Sequence, residues 1–187
     1  MSWADFRRAH PHALVLSRDT GFDRDYGQNP YPGYDDVHNF PFLYHGVVDG
    51  RLAAMNRVLG VELDGHALAV TLDALRRERV LRVDVDGRDL VVFWKPGTAS
   101  ALSSDAIAGG DDVGATGVFE PMLGGKQLTF RAVGGVFEDD QTHSSWDLLG
   151  HAVAGPRRGA GLTAVMHVDT FWFAWAAYQP HTALVTG

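Results

Sequence analysis

Apolar and polar residues alternate most clearly from Arg57 onward. Val58-Leu59-Gly60-Val61-Glu62-Leu63 is followed by Asp64-Gly65 and then by His66-Ala67-Leu68-Ala69-Val70-Thr71-Leu72. Two alternating runs joined by Asp-Gly predict a β-hairpin with a type I′ turn, because both central residues of that turn need positive φ. The pattern recurs at Val80 to Val85, Asp86-Gly87 and Arg88 to Lys95, and again at Gln127 to Val133, Gly134-Gly135 and Val136 to Asp139. Repeated hairpins predict a mainly β chain, built as a twisted sheet, a sandwich or an open barrel.

Helical signals are confined to the two ends. Ser2 can cap a short helix, with Asp5 three residues on in a capping-box arrangement, Trp3 and Phe6 on one face and Pro11 as the stop. A second, aromatic helix is expected over 169–178, capped by Asp169 or Thr170 and stopped at Gln179-Pro180, where it covers an open face of the β structure. Between Ser17 and Pro41 the chain is rich in Tyr, Asp, Asn, Gly and Pro and has neither helical nor strand periodicity. Its aromatics Phe22, Tyr26, Tyr31 and Tyr34 argue for an ordered loop, since disordered linkers are aromatic-poor. Glycine-rich excursions at Ser103 to Gly117 and Gly150 to Gly161 read as surface loops, and Arg76-Arg77-Glu78-Arg79 as a solvated connection. The expected organisation is one domain of 187 residues, with a Tyr/Asp-rich loop over 17–56 and a β core over 57–187.

The two ends also resemble each other. Trp3-x-x-Phe6-x-x-x-His10-Pro11-His12, then Ala13-Leu14-Val15, matches Trp172-x-x-Trp175-x-x-x-Gln179-Pro180-His181, then, after Thr182, Ala183-Leu184-Val185. A unit that closes with an aromatic helix, a Pro-His turn and an apolar strand would leave this trace if residues 1–16 were the tail of a preceding copy.

Composition narrows the chemistry. With 16 Lys+Arg against 23 Asp+Glu the net charge is -7, which repels polyphosphates, so nucleic acid is not an expected partner. The absence of cysteine excludes disulfides, thiolate metal sites and Cys nucleophiles within these residues. No apolar run reaches the roughly 20 residues of a membrane span, and the start lacks the basic and apolar regions of a secretory signal, so the chain is expected to be soluble, with its compartment unread.

Several segments together resemble a known family. They are Ser17 to Gly27 (SRDTGFDRDYG), Val92 to Leu102 (VFWKPGTASAL), Asp112 to Phe119 (DVGATGVF), Thr142 to Gly150 (THSSWDLLG) and Phe171 to Trp175 (FWFAW). In this order they resemble the prokaryotic domain-of-unknown-function family numbered 3179, over nearly the whole chain. The resemblance brings no activity. Longer members look like tandem repeats whose first unit carries a paired-cysteine motif, and they are often exported; this chain resembles the later unit. His143 departs from the glycine expected there, which puts a ring in a tight turn.

Candidate site residues follow from side-chain chemistry. Of His38, His45, His143, His151 and His167, the last three are the favoured metal ligands, for a transition metal held by neutral imidazole, although no His-x-x-x-His or His-x-His spacing supports them. Tyr26, Tyr31, Tyr34, Trp94 and Trp146 are candidates for a groove holding a flat ligand; fastening the loop is the commoner role of such tyrosines. His143-Ser144-Ser145-Trp146-Asp147 juxtaposes a base, hydroxyls and a carboxylate, but lacks a Gly-x-Ser-x-Gly elbow, so Thr142 and Ser144 are expected to close a turn. Gly159-Ala160-Gly161 follows no strand, and no phosphate-binding loop occurs, so no nucleotide cofactor is expected. Asp23, Asp25, Asp35 and Asp36 supply oxygens without EF-hand spacing. The function expected is a non-catalytic module that binds a small ligand, a metal or a second copy of itself. The alternative is a metal-dependent enzyme using loop His and Asp residues.

Overall fold

A computed structural model describes residues 1–187. The first helix, α1 (Trp3–Ala9), forms as its sequence predicts: Ser2 Oγ accepts from Asp5 N and Trp3 stacks on Phe6. No helix or strand then forms until β1 (Arg57–Leu63), which pairs with β2 (His66–Thr71) across Asp64 (φ 52°) and Gly65 (φ 86°). Thr71 Oγ1 caps α2 (Leu72–Glu78). The second hairpin is β3 (Val80–Val85) and β4 (Arg88–Lys95), turning at Asp86-Gly87. Next come β5 (Ala115–Glu120), β6 (Met122–Leu123), β7 (Lys126–Gln127), β8 (Phe130–Val133) and β9 (Val136–Asp139). The chain ends with β10 (Ser145–Trp146), β11 (Ala152–Ala154), β12 (Thr163–Ala164), β13 (Val168–Phe171), α3 (Trp172–Tyr178) and β14 (Ala183–Val185).

The chain is mainly β, and its strands form separate sheets, ordered β13-β1-β2-β14, β12-β5-β4-β3 and β11-β10-β9-β8, with a β6-β7 ribbon. They stack in layers, and β4 explains how. Its run Leu90-Val91-Val92-Phe93-Trp94 is buried throughout. Leu90, Val92 and Trp94 point one way into a core with Leu59, Val61, Leu68, Val70 and Leu75. Val91 and Phe93 point the other way, into a core with Phe119, Phe137, Trp146 and Leu148. A continuous apolar run is what a strand covered on both faces requires. On the outer face of the first sheet, Trp172, Trp175 and Ala176 of α3 pack on Val58 and Ala69. The β carbon that alanine would add at Gly60 falls 2.4 Å from the Trp175 ring, so only glycine lets that indole lie on the strand.

Four expectations need correction. The C-terminal helix begins at Trp172, because Asp169 and Thr170 pair with Leu59 and Val58 as part of β13 and cap nothing. Arg76, Arg77 and Glu78 are the last turn of α2, not a connection, since Leu72, Ala74 and Leu75 bury one side of that helix. The expected strand over 127–133 is divided, Gln127 pairing with Met122 across the Gly124-Gly125 turn before β8 starts at Phe130. The two glycine-rich excursions are shorter than expected, because β5 starts at Ala115 and β11 spans Ala152–Ala154.

The sequence match between the ends is also a match of shape. Both α1 and α3 are seven residues long, and their C-caps His10 (φ -129°, ψ 66°) and Gln179 (φ -125°, ψ 66°) share one conformation. Each is followed by the same turn, with Ala13 N donating to His10 O and Thr182 N to Gln179 O. Their surroundings differ: Trp172 is 0% exposed and Trp3 56%. The apolar strand after α3 pairs in parallel with β2, whereas Leu14 and Leu16 are 99% and 95% exposed.

Candidate functional site

The long loop is held in place by rings and backbone bonds. Tyr31 packs on Phe42, Phe42 on Tyr34, Tyr34 edge-on against Phe171, Phe171 on Phe173 and Phe173 on Tyr44, with centroids 5.2 to 6.2 Å apart. Its earlier part is stitched to the 103–110 segment: Asn29 N donates to Asp105 O and Asn29 Nδ2 to Ser104 O, and Ile107 N donates to Gly27 O. Such bonds satisfy backbone groups that no sheet or helix serves.

Between this loop and the first sheet lies a cleft of about 560 Å³, the size of a small-ligand site. Asp35 and Asp36 come from the loop, Asn56 and Arg57 from the entry to β1, Asp73 and Arg76 from α2, and Asp111 from the segment before β5. Arg57 Nη2 lies 2.8 Å from Asp35 Oδ2 and 2.9 Å from Ser100 Oγ, and its guanidinium sits 4.9 Å over the Phe171 ring. Ser100 Oγ also donates to Asp35. Burial pushes the Asp35 carboxyl up, but the Ser100 and Arg57 hydrogen bonds and the Arg57 charge outweigh it and hold the group below its ordinary value. Arg76 Nη2 donates to Asp112 O. The Asp112 carboxylate accepts from the backbone N–H groups of Gly97, Thr98 and Gly114, fixing the far wall. Burial raises the Asp112 carboxyl, and those amides and the Arg76 charge bring it below the ordinary carboxylate range.

The expected histidine site does not assemble. His143 Nδ1 is 3.0 Å from Glu138 Oε1, His151 Nδ1 is 3.6 Å from Asp147 Oδ2, and His167 Nδ1 is 2.9 Å from Val165 O. No group of three or more His, Asp or Glu side chains is arranged to hold a metal ion. The physical reason is that each imidazole is spent on its own strand end or turn. His143 itself has φ 56°, the left-handed backbone expected where a ring replaces glycine.

The five aromatic candidates are dispersed too. Trp94 and Trp146 are 6% and 0% exposed in the two cores, their Nε1 groups donating to Val113 O and Asp139 Oδ2. Tyr26 bonds Thr20 Oγ1, while Tyr31 and Tyr34 belong to the chain of rings that fastens the loop. Thr142 and Ser144 close a turn: Thr142 N and Oγ1 donate to the buried Asp139 carboxylate, and Ser144 Oγ accepts from Arg157 N. Burial raises the Asp139 carboxyl, and the bonds from Trp146 and Thr142 with the Arg157 charge more than offset it, so the group is held below its ordinary value.

Sequence reasoning missed Arg57, Arg76, Ser100 and Asp111. A helix over 72–78 was the available signal: Thr71 at the cap, Asp73 in the first turn, Leu72 and Leu75 on one face and basic residues in the last turn.

A family model described as a protein of unknown function, DUF3179, matches residues 1–182. The chain belongs to the DUF3179 family. No curated protein and no solved structure matches it. No helix of this DUF3179 protein is long and apolar enough to cross a membrane.

Proposed function

We propose that this DUF3179 chain is a non-catalytic module that binds a small polar ligand in the cleft between the 17–56 loop and the β1-α2 wall. One observation carries the reading: segments far apart in sequence bring Asp35, Asp36, Arg57, Asp73, Arg76 and Asp111 around one open cavity of about 560 Å³. Four carboxylates against two guanidinium groups leave a net repulsion, and Asp35, 7% exposed, gives up hydration as well, a cost that a surface without a ligand need not carry. The walls are rigid, because the Asp35–Arg57–Ser100 contacts and the Asp112 carboxylate anchor them from behind. Preformed walls lower the ordering cost of binding.

The test is a fragment screen by NMR on the full chain, using small amines, acids and neutral polyols. Saturable shifts at the backbone amides of Asp36, Asn56, Asp73 and Asp111 are the expected result. Hits that map elsewhere, or no perturbation of these amides by any compound, would overturn the reading.

A further inference from the structure

We propose that the ligand is a small amphiphilic cation, a protonated amine carrying a short apolar group. The proposal rests on the cleft being the binding site, and names what the cleft selects.

The charges of the cavity do not cancel. It is lined by four carboxylates, Asp35, Asp36, Asp73 and Asp111, and by two guanidinium groups, Arg57 and Arg76. Neither guanidinium is free for an anion. Arg57 is held by Asp35 and Ser100 against the Phe171 ring, and Arg76 donates to Asp112 O while lying 3.9 Å from Asp73. Asp36 and Asp111 line the cavity with no basic partner, Asp36 accepting only from His38 N. An entering anion would meet a negative excess with both basic groups already committed. A cation would meet two carboxylates in want of a counter-charge, in a concave site where the field is focused.

The apolar half of the ligand follows from a second cavity. A pocket of about 200 Å³ shares Arg57, Leu72 and Val113 with the polar cleft and continues over Val58, Leu59, Leu75 and Ala115, with Thr98, Thr116, Asp169 and Thr170 as its polar side. A cavity of about 150 Å³ lined by aliphatic side chains already accepts benzene, so this one has room for a phenyl ring or a short branched chain. Leu72 and Val113 line both spaces, so a molecule that presents its charge to Asp36 and Asp111 can lay its hydrocarbon against these two side chains at the border of the pocket.

Benzylamine is the probe, titrated into the full-length ¹⁵N-labelled chain beside benzyl alcohol, benzoate and methylammonium. Benzylamine should shift the amides of Asp36, Asp111 and Val113 and bind about tenfold tighter than each comparator, the gain of one modest charge pair or of the buried ring. Asp36→Asn and Asp111→Asn, both at exposed positions, should each weaken benzylamine several-fold, and by a larger factor than they weaken benzyl alcohol. Benzyl alcohol or benzoate binding the same amides as tightly, or benzylamine unaffected by both substitutions, would overturn the choice of cation while leaving the cleft as the binding site. Methylammonium binding as tightly as benzylamine would overturn the apolar half. Failure of every compound to perturb the cleft would overturn the proposal together with the reading on which it stands.

Discussion

Asp35→Asn removes the charge that joins the loop to the sheet. The carboxylate side chain is 7% exposed and the paired Arg57 side chain 25% exposed, at 2.8 Å. Asparagine keeps the size and one acceptor for Ser100 Oγ, but Arg57 loses its counter-charge and an amide N–H₂ must face either Arg57 or Ser100. Removing one partner of a fully buried pair costs roughly 3–5 kcal/mol. Water reaches Arg57, so about 1.5–3 kcal/mol is expected here. For a chain of this length that lowers the Tm by roughly 3–12 °C, with each kcal/mol worth about 2–4 °C. The pH dependence has a definite sign. The folded-state carboxyl lies below its ordinary value of 3.8, so its contribution is complete above that pH and is lost as pH falls through the folded value. Urea melts from pH 7 downward should therefore show the wild type keeping its advantage over Asp35→Asn down to about pH 3.8 and losing it progressively below, as the pH falls through the folded value. Limited proteolysis should cut the variant first within residues 17–56, where the anchor is gone. A variant within 0.5 kcal/mol of wild type at pH 7, or one whose deficit is constant with pH, would refute the argument.

Other substitutions test other layers. Asp139→Asn, at a carboxylate 0% exposed that receives Trp146 Nε1 and Thr142, should cost about 2–4 kcal/mol at pH 7, and Trp146→Phe in that background should add less than it does alone, a coupling that a double-mutant cycle measures. Gly60→Ala drives a methyl into the Trp175 ring at 2.4 Å and should cost about 1–3 kcal/mol by urea unfolding, with a shift in indole fluorescence. His143→Gly relieves the φ of 56° on an exposed turn and should raise stability by about 0.5–1 kcal/mol; a loss would show that the Glu138 contact outweighs the backbone.

Period-2 alternation and Asp-Gly or Gly-Gly turns made the hairpins of β1-β2, β3-β4 and β8-β9 legible, since register and turn type are both local. The stacking of layers was not, although Leu90 to Trp94 carried the sign of a strand covered twice. The helix α2 was hidden because seven residues between two hairpins also suit a connection, and the burial of Ala74 and Leu75 in the core decides otherwise. Asp169 fits a cap and a strand equally well, and pairing with Leu59, distant in sequence, settles it. The candidate cleft was least legible. Asp35, Arg57, Ser100 and Asp111 have no periodic relation, and the topology alone brings them together.

The duplicate shapes at the two ends pose a recognition problem for the chain itself. The β1-β2 face has one seat for an aromatic helix followed by an apolar strand, and two segments of like backbone are offered to it. Backbone geometry does not choose between them, and the side chains differ, in charge among other things. At the position of Ala176, 6% exposed against the sheet, the N-terminal twin carries Arg7, and at Ala174 it carries Asp5, which is instead 2.9 Å from Lys95 Nζ. Burying an unpaired guanidinium costs more than the aromatic contacts of Trp3 and Phe6 would return. Arg7 and Asp5 therefore make the N-terminal copy the poorer fit for the seat that α3 fills.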